Sequence, residues 1–151
     1  MVINLWIPGD PVLAAIAPLG LGAAAGTALV VDADPGGPHY PGSGSLAALV
    51  EAGPRRSDLS PNQAGMAVLR NGGVGLDEAA EVLAALAAGW PWLVVRHAGS
   101  EPPAGRSVAV VADLPGALAR RVNGPTVIQR CGRTLSPMNA DVQLPRPSTR
   151  L

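Results

Sequence analysis

The sequence predicts an α/β fold: a doubly wound, mostly parallel sheet of about six strands with helices on both sides. Three observations predict it. The apolar runs, such as Leu29-Val30-Val31 and Leu93-Val94-Val95, are short and continuous rather than alternating. Strands buried on both faces read this way, because helices cover the sheet from either side. These runs alternate with stretches of helical periodicity, as in repeated β-α-β units. Several of them also end in polar, turn-forming residues, where strands of such a sheet hand over to their loops.

Taken in order, Val2–Ile7 is the first strand, closed by the turn cluster Pro8-Gly9-Asp10-Pro11. Asp10 suits a helix N-cap and Pro11 the first helical position. The helix Val12–Ala17 follows, and Pro18 is expected to end or kink it, because proline removes an amide donor and clashes with the preceding turn. Leu19–Gly26 is rich in Ala and Gly and reads as a weak continuation. Thr27–Val31 is a buried strand closed by Asp32-Ala33-Asp34-Pro35, and residues 35–44 form a Gly/Pro loop. Ser45–Ala52 is a short helix ending at Gly53, with Ser45 a good N-cap. Residues 54–64 read as a polar surface linker.

Met66–Leu69 is the third strand, and Asn71-Gly72-Gly73 a turn. Leu76–Ala88 gives the strongest helical pattern, with Leu76, Ala79, Ala80, Leu83, Leu86 and Ala87 on one face. Asp77, Glu78 and Glu81 lie in its early turns, where the dipole favours acidic groups. This is the longest helix expected. Strands follow at Trp92–Val95, Val108–Val111 and Thr126–Ile128, with a short helix Leu114–Arg121 before the last. One α/β domain is expected over residues 1–133. The tail, 134–151, carries Pro137, Pro145 and Pro147 and reads as extended.

Composition removes whole classes of function. There are 151 residues; the 11 basic ones are all Arg, set against 11 Asp and Glu. The absence of Lys excludes a P-loop lysine, a Schiff base and a Ser-Lys dyad. The charge balance gives no basic excess to attract nucleic acid or an anionic membrane. No apolar run reaches the ~18 residues of a membrane span. The single Cys131 allows no internal disulfide, and nothing nearby beyond Arg130 and Arg133 lowers its pKa as a reactive thiol requires. The expected setting is cytoplasmic, and the Ala, Gly, Pro and Arg usage is that of a GC-rich bacterial genome. With 3% aromatic residues, the core falls to Ala, Val and Leu.

In an open parallel sheet the ligand crevice lies at the carboxyl ends of the strands. Those ends carry Gly9, Asp10, Asp32, Asp34, Arg96 and His97, the candidate crevice residues, with Asp113 past a further strand. Asp32 and Asp34, two apart after a strand, point the same way and suit a metal or an activated water; the plainer reading is that they cap the next turn. Arg96 and His97 are placed to pair with them across neighbouring strand ends, or else to face solvent. A metal site of His39, His97 and the aspartates has no recognised spacing. Ser57, Ser60 and Ser100 lack a nucleophile-elbow context. Of Trp90 and Trp92, one is expected in the core and one at an exposed surface.

Val30-Val31-Asp32-Ala33-Asp34-Pro35 resembles the second strand and following aspartates of the MinD/ParA class of P-loop ATPases. Ser45-Leu46-Ala47-Ala48-Leu49 is similar to the helix that class places next. Met66–Leu69, the helix 76–88 and Trp92–Val95 resemble its third strand, next helix and Walker B strand. The resemblance implies a P-loop NTPase-like, Rossmann-like three-layer sandwich over roughly residues 2–130. It also marks two departures. The family's Gly-rich first loop with its Lys and Thr is replaced by Pro8-Gly9-Asp10-Pro11, and the Walker B aspartate position holds Arg96-His97. The chain is therefore expected to be a non-hydrolysing relative without a cofactor, metal or catalytic residue. It is expected to act through a protein partner or as a homodimer, in cell division, partitioning or pilus positioning. The alternative is a small nucleotide- or phosphate-ligand module or enzyme using Asp32 and Asp34.

Overall fold

The computed structural model describes residues 1–37, 39–61, 63–98, 107–113 and 126–130. Helix Leu114–Arg121, Ser100, Cys131, Arg133 and the tail 134–151 lie outside the described residues. In chain order the elements are β1 (Val2–Trp6), α1 (Pro11–Ala24), β2 (Ala28–Asp32), α2 (Leu46–Ala52), β3 (Met66–Leu69), α3 (Ala80–Gly89), β4 (Trp92–Arg96), β5 (Ser107–Asp113) and β6 (Thr126–Arg130). The strands form one sheet in the order β3-β2-β4-β1-β5-β6, and every pairing is parallel. Because β4 lies between β2 and β1, the chain leaves β1 towards one edge of the sheet and leaves β4 towards the other. Such a reversal opens a crevice beyond the strand ends.

Each strand divides its side chains between two cores, as the pleat requires. Leu29 and Val31 of β2 and Leu93 and Val95 of β4 join Leu46, Leu69, Val82, Leu86 and Trp90 under α2 and α3. Val30 and Val94 face the other way and join Leu5, Leu13 and Val110 beneath α1. The continuous Val/Leu runs are thus the record of a sheet covered on both sides. Trp90 is the core tryptophan, and its indole N–H donates to the Asp58 carbonyl at 3.0 Å. That bond ties the 54–64 segment, largely exposed as a surface linker is expected to be, to the end of α3. Trp92 is half-buried.

Two helix expectations are corrected. The helix α1 does not end at Pro18 but continues through the Leu19 segment read as a weak continuation, runs for 14 residues and is the longest among the described residues. Pro18 is fully buried, and α1 packs on β2, β4 and β5. This tertiary packing offsets the hydrogen bond that proline removes. The helix sits close enough that a Cβ on Gly22 would meet Val30 Cγ2 at 2.5 Å. The helix α3 spans 10 residues and begins at Ala80, not Leu76. The preceding residues make a turn instead: Glu78 accepts from the Gly75 amide at 3.0 Å, and the Ala79 amide donates to the Gly75 carbonyl at 3.1 Å. The Glu78 bond is of the capping-box kind that opens a helix, but the Ala80 amide donates to the Asp77 carbonyl at 3.3 Å, an i→i−3 bond that makes this first stretch a tighter turn than the α-helix that follows. Helix α2 follows its sequence signal, with Ser45 Oγ accepting from the Ala48 amide at 3.2 Å.

Candidate functional site

The carboxyl ends of β1, β2 and β4 open onto a cavity of about 550 Å³. Gly9, Asp10, Asp34, Arg96 and His97 line it, so five of the six expected crevice residues share one wall-to-wall space. The sixth, Asp32, sits directly behind it, 1% exposed and bonded to Arg96. Ile7, Pro11 and Ala14 supply apolar wall, and Gly36 and Gly37 supply backbone.

Its centre is a buried ion triad. The register pairs Asp32 with Arg96 at the last rung between β2 and β4. Side chains directly opposite on adjacent strands share a face, so both project towards the α1 side. Arg96 Nη2 donates to Asp32 Oδ1 at 2.6 Å, and Nη1 donates to Asp34 Oδ2 at 2.8 Å. The guanidinium side chain is 3% exposed. Asp32 Oδ1 also accepts from the Asp34 amide at 3.0 Å, and Asp34 Oδ1 accepts from the Gly36 amide at 2.9 Å. The expected capping role of both aspartates and their pairing with Arg96 are therefore one structure. Burial pushes the Asp32 carboxyl up from its ordinary value of 3.8, while the Asp34 amide and Arg96 pull the other way. Gly37 closes over the guanidinium so tightly that a Cβ there would overlap Arg96 Nη2.

The first loop is closed by its own side chain. Gly9 adopts a φ of 73°, which turns the chain out of β1. Asp10 then caps α1, its Oδ1 accepting from the Leu13 amide at 2.8 Å and its carbonyl from the Ala14 amide at 2.9 Å. Pro11 at the first helical position contributes no amide. A helix N-terminus binds an anion through free amides and a positive dipole. Here a carboxylate occupies the cap and adds negative charge. Three carboxylates, Asp10, Asp32 and Asp34, face one guanidinium across this region.

His97 does not join the triad. It is 4% exposed, and its Nδ1 lies 3.3 Å from the Ala98 carbonyl. A carbonyl only accepts, so the ring proton belongs on Nδ1 and Nε2 is left as an acceptor. Nε2 and Arg96 Nε are buried and have no hydrogen-bond partner among the described residues. Burial holds the imidazole below its ordinary 6.5, against the Ala98 carbonyl and Asp34, which favour the charged form.

Tyr40 lies in the Gly/Pro loop of residues 35–44, outside the cavity lining. It is 6% exposed, and its hydroxyl donates to the Ala15 carbonyl at 2.9 Å, pinning the Gly/Pro loop to α1. Burial pushes its phenol up to about 12. The loop's only aromatic was the available signal, since a lone tyrosine among Gly and Pro is an anchor more readily than a solvent group. His39 stays exposed, and no group of three metal-ligating side chains exists among the described residues.

Fold and crevice together define a class: a parallel α/β protein with a strand-end cavity whose guanidinium is held by two aspartates of its own chain. No protein-family model, curated protein or solved structure matches the chain.

Proposed function

We propose that the chain is a non-hydrolysing protein on a MinD/ParA-like frame that acts through contacts with a partner protein. One observation carries this reading: the cation at the end of β4 is held by Asp32 and Asp34, while Asp10 caps α1. Phosphoryl transfer needs oriented donors and positive charge around the phosphates. This crevice spends its guanidinium on its own carboxylates and presents Asp10 where phosphate oxygens would lie. No helix among the described residues is long and apolar enough to cross a membrane. The α1 face turned away from the sheet carries Val12 and Ile16, 68% and 48% exposed, and a helix without a polar position along its length is one that is ordinarily covered.

The test is nucleotide binding and turnover on the purified chain. Neither ATP nor GTP is expected to be hydrolysed above background, with Mg²⁺ present, in the wild type or in Arg96→Ala. Turnover in the wild type that disappears in Arg96→Ala overturns the proposal and promotes a phosphate-ligand enzyme using Asp32 and Asp34.

A further inference from the structure

We infer that a second cavity, on the α2 and α3 side of the sheet, is a binding site for a small uncharged ring compound that carries one hydroxyl. The inference goes beyond the contact-protein reading and does not depend on it. The cavity holds about 260 Å³ between the edge strand β3, helix α3 and the segment 54–64. Its floor is aliphatic: Leu29 and Ala67, register partners on β2 and β3, lie beside Leu69 and Leu86. Trp90 adds an aromatic wall. Its indole N–H is already taken by the Asp58 carbonyl, so it offers a ring face and not a donor. Ser57, Asp58 and Ser60 complete the lining. Both serines are exposed while Leu29, Leu69, Leu86 and Trp90 are buried, so the polar groups stand at the mouth. There two hydroxyls and a carboxylate can accept from a ligand hydroxyl. An apolar pocket with a few polar groups gathered at one side is the composition of a small-molecule site.

The mouth is held in place by the fold. Asp58 Oδ2 accepts from the Arg55 amide at 2.8 Å, and the Asp58 amide donates to the Arg55 carbonyl at 2.9 Å, which closes a turn. A Cβ on Gly89 would overlap the Leu59 carbonyl, so the backbone of the segment rests directly on the end of α3. A rim ordered in advance lowers the cost of binding. Water is a poor occupant, because leucine and indole walls give it few of the ~2–4 polar partners it needs. Displacing such water with an apolar group gains affinity. An apolar cavity of ~150 Å³ holds a benzene ring, so a space of about 260 Å³ admits one substituted ring. A charged ligand would lose its hydration against the aliphatic floor, and Asp58 repels an anion at the mouth.

Three probes are titrated separately into the full chain and followed by amide and indole chemical shifts: para-cresol, its methyl ether para-methylanisole, and para-toluate. The chain has three tryptophans, so the Trp90 indole signal reports apart from those of Trp6 and Trp92. Para-cresol is expected to bind with a Kd at or below about 1 mM. It should move the Trp90 indole signal and the amides of Ser57, Asp58 and Ala67, and leave the other two indole signals in place. The ether is expected to bind at least about threefold more weakly, because it has no donor for the mouth, and para-toluate should show no saturable binding. Ala67→Leu fills the floor and should weaken para-cresol at least about tenfold. Should that variant not fold, Ala67→Val, a smaller filling that suits a strand, should weaken it at least about threefold. No saturable shift with para-cresol, shifts that leave the Trp90 indole unmoved, binding of the ether or of para-toluate equal to that of para-cresol, or an undiminished affinity in the filled variant overturns the inference. None of these outcomes bears on nucleotide turnover, so the contact-protein reading stands or falls separately.

Discussion

Arg96 is the residue on which the crevice depends. Removing one partner of a buried ion pair leaves the other charge uncompensated, which costs about 3–5 kcal/mol. With its side chain 3% exposed and both Nη atoms engaged, Arg96→Ala should lose stability of that order in urea denaturation. A loss below about 1 kcal/mol would mean the pair behaves like an exposed one. Gly37 tests the same packing from the other side. A Cβ there overlaps the guanidinium, so Gly37→Ala should destabilise by the ~1–3 kcal/mol of overpacking, though its backbone needs no left-handed conformation. Two titrations add a pH signature. His97 is held below 6.5 in the folded chain, so the unfolded chain binds its proton first. Its contribution is whole above pH 6.5 and is lost as pH falls below that value. Tyr40 runs the opposite way: with its phenol at about 12 against an ordinary 10.0, its contribution is lost as pH rises from 10 towards 12. Denaturation midpoints between pH 5 and 7.5 should fall on the acid side in the wild type, and less so in His97→Gln. An identical acid slope in that variant contradicts the assignment.

At the scale of elements, Pro18 offers a clean test of what holds α1 together. A proline within a helix costs roughly 3 kcal/mol, and truncating its buried ring to alanine removes methylenes worth ~0.8 kcal/mol each. Pro18→Ala should therefore come out stabilising by about 1 kcal/mol, measured as a raised urea midpoint with unchanged slope. A destabilised variant would show that the ring's packing beneath the sheet outweighs the lost hydrogen bond. The strands were legible because burial on both faces leaves a signal in the residues themselves: β2 and β4 lie where Leu29–Val31 and Leu93–Val95 placed them. The helices were less so. Pro18 reads as an end or a kink because propensity is local, whereas α1 is held by its packing on β2, β4 and β5. Leu76 looked like a helix start because its face was apolar, yet residues 76–79 make a tighter turn, with the Ala80 amide donating to the Asp77 carbonyl. The triad was half legible. Asp32 and Arg96 end adjacent strands at matching register, which strand ends alone suggest. The idle Nε2 of His97 and the inward turn of Tyr40 depend on loop geometry that no periodicity encodes.

At the scale of the whole molecule, the parallel sheet and its reversal between β1 and β4 build a crevice in the usual place for such folds. What fills it is not usual for a phosphate site. Asp10 sits on the helix N-terminus, and the cation of β4 is neutralised from within. A crevice closed in this way is expected to bind no nucleotide, and a thermal unfolding scan with and without MgATP is the test. A ligand at 100 times its Kd stabilises by about 2.7 kcal/mol, which for a chain of this size raises Tm by several degrees, at about 2–4 °C per kcal/mol. The Tm is expected to be unchanged by millimolar MgATP. A reproducible rise of several degrees, absent with Mg²⁺ alone, would contradict it.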